Sequence, residues 1–379
     1  MATGLAITPN SWIIGEEKYN TRYPHLGSIK ALWEAKWKFP CTKGVYPFHD
    51  GAYEDFEKVF DELIKNNIND GYSDEYTTTF FPVCESVVKQ AEAAEASRDT
   101  PKAIELYLRA ACLYRLSRFP YQVSTIPGVK TDAWETQKKV YLKGASLFDT
   151  PVREALIPHK YAEGADGPTV PVYVRLPTHA SKDSPVPAIL LITGLDGYRP
   201  DNTQRSQEFV NRGWGCVIAE IPGTADCPAD PKDPKSPDRL WSSVLDWMAS
   251  QGVFDMTKII AWGLSCGGHY AIRIAHTHRE RLRGSVGQGA GTHHFFGKEW
   301  LKKIDDHEYP FAATPALALK HGFDSVEEYR EKAQKKFSLV ENGIVNMPST
   351  RLLLINVRDL PVIIVLVTLS PLPSPFFLA

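Results

Sequence analysis

The stretch KIIAWGLSCGGHYAI, residues 258–272, constrains the fold more than any other part of the chain. Its apolar start suits a buried strand, and the residues after Ser265 suit a helix. Between them, Gly263-Leu264-Ser265-Cys266-Gly267 fits G-x-S-x-G. A serine at such a bend must protrude from a tight, strained strand-to-helix turn. Bulky side chains two positions away on either side would collide with neighbouring backbone. The helix that follows points its positive end at the hydroxyl and favours developing negative charge. Ser265 is therefore the expected nucleophile. Cys266 lies one residue out of register with the bend and is not.

The remainder of the chain supplies a sheet that can carry this bend. From about residue 151, VREALIPHKY and TVPVYVRLP read as paired strands joined by the turn-rich AEGADGP. The runs PAILLITG and GCVIAEIPG read as strands covered on both faces, with the short helix SQEFVNRG between them. Ser236-Pro237 opens the helix DRLWSSVLDWMAS. Strand LRGSVGQGAG, a long polar and helical excursion and strand RLLLINV follow the serine segment. This alternation predicts an α/β fold with a mostly parallel central sheet flanked by helices. Residues 1–150 read instead as a helical region. Thr100-Pro101 opens its clearest helix, whose apolar residues at Ala103, Leu106, Tyr107, Ala110, Leu113 and Tyr114 share one face. YEDFEKVFDELIKN, FPVCESVVKQAEAAEAS and AWETQKKVYLKGASLF carry similar stripes. Trp33 and Trp37, four apart, fit core packing better than a pocket wall.

A net charge of −2 gives no electrostatic case for a nucleic acid or an anionic membrane. The six cysteines form no CxxC pair, which favours reduced thiols in a cytosol-like compartment. MATGLAITPN lacks the basic and apolar pattern of a secretory signal, and VIIVLVTL is too short to cross a bilayer. No spacing of histidines and carboxylates suggests a metal site.

A serine nucleophile needs an oxyanion site, an acid and a base. The expected oxyanion donors are the N–H of Cys266 and, from the loop after AILLIT, the N–H of Leu195. The acid should follow a late strand. Asp359 is the one acidic residue beyond Glu341, so position selects it. The histidine should come later still, yet none of the 11 histidines follows Asp359. His293 and His294, after strand SVGQGAG, lead the substitutes for a base, although a loop pair lining the pocket is the plainer reading. His269 reads as packing on the helix, and His276 and His278 as contacts to that helix's negative end. Residues 361–379 carry no charge and are broken by prolines. They read as an aberrant hydrophobic tail, after a hydrolase core at 151–360.

LWEAKWKFPCTKGVYPFHDG, SRFPY, TGLDGYRPDN, EIPGTADCPADP, SPDRLW, WGLSCGGHYAIR, AHTHR, DHEYPF and QKKFSLVE together span about residues 10–356. In these stretches the chain resembles the fungal α/β-hydrolases that shorten aromatic polyketides in conidial-pigment and dihydroxynaphthalene-melanin pathways. The resemblance implies an α/β-hydrolase core with an N-terminal helical cap that also offers a homodimer surface. It implies Ser265 as nucleophile, no cofactor and no metal. It implies hydrolysis of a carbon–carbon bond, with a heptaketide naphthopyrone giving tetrahydroxynaphthalene. Related bacterial enzymes cleave carbon–carbon bonds in nicotine breakdown. The pathway implies a cytoplasmic or endosomal location. Asp196, Arg199, Asp226, His293 and His294 are candidate contacts for the polyketide, or ties between loops. Two departures bear on activity. The family's paired aspartates become Asp359 and Leu360, with Leu360 at the position of the more probable triad acid, and its Pro-His-Met-Gly stretch is absent. A carboxylesterase or thioesterase with the same serine, and a non-catalytic polyketide-binding relative, are the competing readings.

Overall fold

A computed structural model of the chain describes residues 15–122, 126–355 and 364–365. Its centre is an eight-stranded sheet: β1 Val152–Pro158, β2 Thr169–Arg175, β3 Val186–Ile192, β4 Gly215–Ala219, β5 Phe254–Leu264, β6 Gly284–Gln288, β7 Leu352–Ile355 and β8 Ile364–Val365. The spatial order is β1-β2-β4-β3-β5-β6-β7-β8. Strands β3 to β7 run parallel, and β1, β2 and β8 pair antiparallel at the two sides. This is the α/β-hydrolase architecture.

The apolar runs become central strands because helices cover both faces of the sheet. Side chains alternate across β3. Ile189 and Leu191 join the core shared with the N-terminal helices. Ala188, Leu190 and Ile192 join the opposite core, with Leu240, Trp241, Val244 and Met248 of helix Ser236–Gln251. The first strand after the helical region, β1, lies at the sheet edge and has several exposed residues. Strand β3 lies between β4 and β5. The chain leaves β3 toward one side and returns through β5 on the other. The carboxyl ends of β3 and β5 thus flank a topological switch point, where sites of such sheets lie.

The longer N-terminal helices are Tyr53–Lys65, Asp74–Ala96, Thr100–Ser117 and Val129–Ala145. The second begins well before Phe81-Pro82 and carries Pro82 inside it. Ser73 starts it by accepting from the Tyr76 N–H at 3.1 Å. Trp33 and Trp37 are core residues. Trp33 stacks on Phe60 with ring centroids 4.3 Å apart, and Trp37 meets Phe48 and Phe119 edge-on. This region packs against the sheet itself, with Tyr141 stacked on Tyr173 of β2 at a centroid distance of 5.7 Å. The excursion between β6 and β7 folds into helices that include Thr314–Lys320 and Val326–Phe337. Its Phe296, Leu317 and Phe337 pack in one cluster with Tyr121 and Leu195. Among the described residues, no helix is long and apolar enough to cross a membrane.

Candidate active site

Ser265 sits at the tip of a strained bend between β5 and helix Cys266–Thr277. Its backbone angles are φ 53° and ψ −122°, in a region that costs a non-glycine residue roughly 1–3 kcal/mol. Two hydrogen bonds hold it there. The Ser265 N–H donates to the Gln288 carbonyl at 2.7 Å, and the Gly268 N–H donates to the Ser265 carbonyl at 2.8 Å. Ser265 is exposed, whereas Gly263 and Gly267 are buried. The two glycines are steric necessities. A Cβ on Gly263 would stand 2.0 Å from the Gly267 carbonyl oxygen, and one on Gly267 would stand 2.0 Å from that of Thr193.

The loop after β3 lies against this bend. A Cβ on Gly194 would meet the Leu264 carbonyl oxygen at 3.1 Å and the Ser265 Cβ at 3.4 Å. Ser265, Cys266 and Gly194-Leu195 are thus brought together from two strands. Gly194 donates to the Gly197 carbonyl at 3.2 Å, which closes a tight turn around Leu195. Among the described residues the Leu195 N–H has no hydrogen-bond acceptor. The Cys266 thiol is pushed up to about 11 by burial, against the opposing pull of Lys320. It is neutral near pH 7 and a poor competitor for the nucleophile's role.

Most of the other residues singled out in the sequence have partners of their own. Asp196 accepts from the Tyr46 hydroxyl at 2.8 Å and the Tyr309 hydroxyl at 3.2 Å, and pairs with Arg115 at 3.4 Å. Arg199 is fully buried and donates to Asp226 at 2.6 and 3.0 Å. Burial alone would raise the Asp226 carboxyl, but Arg199 and Lys138 outweigh it and bring the value down to about 2. Arg199 and Asp226 therefore tie loops to each other. His293 shares a hydrogen bond of 2.7 Å between Nδ1 and the Ser338 hydroxyl, and its ring lies 4.7 Å from that of His294. Burial, then the neighbouring His294, lowers the pKa of His293. His294 is exposed. His269 donates from Nδ1 to the Gly291 carbonyl at 3.1 Å, and burial lowers it to about 3. It packs as expected. His276 and His278 lie at the end of that helix, where burial lowers the pKa of both. Their rings bond to the Met347 carbonyl and the Ser242 hydroxyl. Among the described residues no histidine hydrogen-bonds to Ser265, and no cluster of three or more His, Cys, Asp or Glu could hold a metal. Asp359 and most of the 361–379 tail lie outside the described residues.

Residues 55–350 match the protein family described as Esterase FrsA-like. The chain belongs to the FrsA-like esterase family. The 2,6-dihydropseudooxynicotine hydrolase of Paenarthrobacter nicotinovorans is 26% identical over 36% of the chain and 35% of the relative. The hydrolase acrC of Aspergillus aculeatus is 27% identical over 50% of the chain and 47% of the relative. The chain thus matches less than half the length of either relative. Among solved structures, the 2,6-dihydroxy-pseudo-oxynicotine hydrolase superposes with a TM-score of 0.64 at 18% identity, over 84% of this chain and 80% of that one. That likeness is one of fold.

In this FrsA-like chain the loop beside Ser265 is held from below by side chains that the sequence reading missed. Arg118 is fully buried and donates to the Asp196 carbonyl at 2.9 Å, to Asp201 at 2.8 Å and to Gln137 at 2.7 Å. Gln137 donates in turn to the other Asp201 oxygen at 2.7 Å. The Arg118 guanidinium also lies 3.9 Å from the centre of the Tyr198 ring. Arg115 reaches Asp201 at 3.5 Å. Arg115 and Gln137 lie on the N-terminal helices and Arg118 directly follows the helix Thr100–Ser117, so the helical region holds the loop. The one local signal was charge in an otherwise apolar stripe, at Arg115 and Arg118 of LYRLSRFPY.

Proposed function

We propose that the protein is a serine-dependent hydrolase that cleaves a carbon–carbon bond in the side chain of an aromatic polyketide. The substrate in this reading is a heptaketide naphthopyrone shortened to tetrahydroxynaphthalene. One observation carries the hydrolase reading: Ser265 is exposed on a strained bend with the Gly194-Leu195 turn packed against it. The resemblance to polyketide-shortening enzymes carries the substrate. Ser265 Oγ attacks a side-chain carbonyl, and its proton passes to a base. The Cys266 and Leu195 N–H groups receive the oxyanion. The carbon–carbon bond breaks, its electron pair leaves as a carbanion delocalised into the adjacent carbonyl or phenol ring, and the protonated base returns its proton to that carbon. Water then releases the acyl group from Ser265. Asp359 is the proposed acid. His293 and His294 are the candidates for the base, and His293 can keep the Ser338 hydroxyl on Nδ1 while Nε2 takes the proton.

The partners of the described histidines favour a second reading, a non-catalytic polyketide-binding relative. The family's esterase designation favours a third, a simple esterase. A β-diketone naphthopyrone, a p-nitrophenyl ester and a fluorophosphonate separate the three. Carbon–carbon cleavage that disappears in Ser265→Ala supports the proposal. Ester turnover alone makes the protein an esterase. Naphthopyrone binding with neither turnover nor labelling of Ser265 makes it a binding protein.

A further inference from the structure

We propose that Glu220 is a positioning residue for the oxyanion turn, one buried carboxylate that holds both ends of the Thr193–Arg199 segment. This inference rests on the serine-hydrolase reading of Ser265. Glu220 directly follows β4 and is 2% exposed. One of its oxygens, Oε2, is bonded to the Thr193 hydroxyl. The other, Oε1, accepts from the Arg199 N–H at 2.7 Å. Thr193 and Arg199 bracket Gly194, Leu195, Asp196, Gly197 and Tyr198. The Leu195 N–H therefore hangs from a turn whose two feet stand on a single side chain. The Thr193 N–H adds a third tie, donating to the Ala219 carbonyl next to Glu220 at 3.1 Å.

Glu220 is also a counter-ion to the buried Arg199 guanidinium, so its role in placing the turn must be told apart from its role in stability. Placement of the turn calls for a carboxyl, because both ends present polar groups and a carboxylate has two oxygens to receive them. The groups facing Glu220 are Arg199, with its Nη1 at 3.5 Å, Asp226 and Thr193. Burial pushes the Glu220 carboxyl up to about 7, against the pull of Arg199 and Thr193. Both protonation forms keep the clamp. The neutral carboxyl donates to the Thr193 oxygen, and the ionised form accepts from the Thr193 hydroxyl. A glutamine can reproduce the neutral form. Its carbonyl accepts from Arg199, and its amide donates to Thr193.

The test compares Glu220→Ala, Glu220→Gln, Thr193→Val and Ser265→Ala in the full chain. The readouts are p-nitrophenyl acetate hydrolysis and the crystal structures of the two Glu220 variants. Loss of a whole oxyanion donor costs about 100- to 1,000-fold in kcat. A displaced donor should cost less, so Glu220→Ala is expected to lose about 30-fold in kcat with KM changed less than about twofold. Thr193→Val should lose about fivefold, and Glu220→Gln should recover most of the alanine loss. In the crystals the Leu195 N–H should move away from Ser265 Oγ in Glu220→Ala and stay in Glu220→Gln. The proposal is overturned if Leu195 stays in place in Glu220→Ala, whatever the turnover. It is also overturned if Glu220→Ala keeps its kcat while Ser265→Ala loses it. Equal turnover in Ser265→Ala and the unmodified chain would overturn the serine reading instead, and the crystal comparison would still decide the role of Glu220.

Discussion

Arg118→Met removes a charge from the buried junction between the helical region and the loop beside Ser265, while keeping most of the side-chain volume. Three hydrogen bonds go with it, to Asp201, the Asp196 carbonyl and Gln137. Breaking a buried ion pair by removing one partner costs about 3–5 kcal/mol, because the other charge stays buried. Here Arg115 stays 3.5 Å from Asp201 and offsets part of that loss. The expected cost is therefore at the lower end, about 3 kcal/mol. That is a large share of the roughly 5–15 kcal/mol that holds a typical domain together. Urea unfolding followed by tryptophan fluorescence reads it, since Trp134 lies 5.4 Å from the Arg118 guanidinium. Asp201→Asn and the double variant complete a cycle. The pair should couple by about 1–2 kcal/mol, because the double variant leaves no orphaned charge. A loss below about 1 kcal/mol with additive single effects would refute the reasoning and make the junction incidental.

Gly267→Ala places a methyl 2.0 Å from the Thr193 carbonyl oxygen, so the bend must open. Fluorophosphonate labelling of Ser265 in the folded variant should fall at least about tenfold if the bend supplies the reactivity. The folded chain keeps His269 neutral, with its pKa lowered from 6.5 to about 3 by burial. Its contribution to stability is complete above 6.5 and is lost as pH falls, by up to about 1.4 kcal/mol per pH unit. Urea midpoints between pH 7 and 4.5 should fall less steeply in His269→Phe than in the unmodified chain. The Cys266 thiol, pushed up to about 11, should alkylate slowly with iodoacetamide at pH 7.5 and about tenfold faster for each added pH unit.

The parts legible in the sequence are those that a local pattern encodes. Gly263, Ser265 and Gly267 declare the bend because their spacing reports contacts within a few residues. The uninterrupted run AILLI declares a strand covered on both faces for the same reason. The stripe read from Phe81 onward is only part of helix Asp74–Ala96. Proline normally marks a helix start, but capping by Ser73 and packing by Tyr76 and Phe80 carry the helix through Pro82. The partners of the site residues were not legible. Arg118 lies 78 residues from the carbonyl it holds, and nothing near either position specifies the other. Arg199 and Asp226 are 27 residues apart and pair with each other, a tie between loops that neither local stretch specifies. Glu220 was hidden at the end of an apolar strand, where one acid reads as the strand's exit toward solvent.

The stacking of Tyr141 on Tyr173, together with the grip of Arg118 on the Asp196 carbonyl, bears on how such proteins can be recombined. A detachable lid could be grafted from one relative to another to change what enters the cleft. The N-terminal helices here are not of that kind. A chimera exchanging residues 16–145 alone would present a foreign partner to Asp201 and Tyr198, and would disturb chemistry it never touches. The transplantable unit is the helices together with the 193–201 turn, so selectivity and rate in this architecture must be inherited, and engineered, jointly.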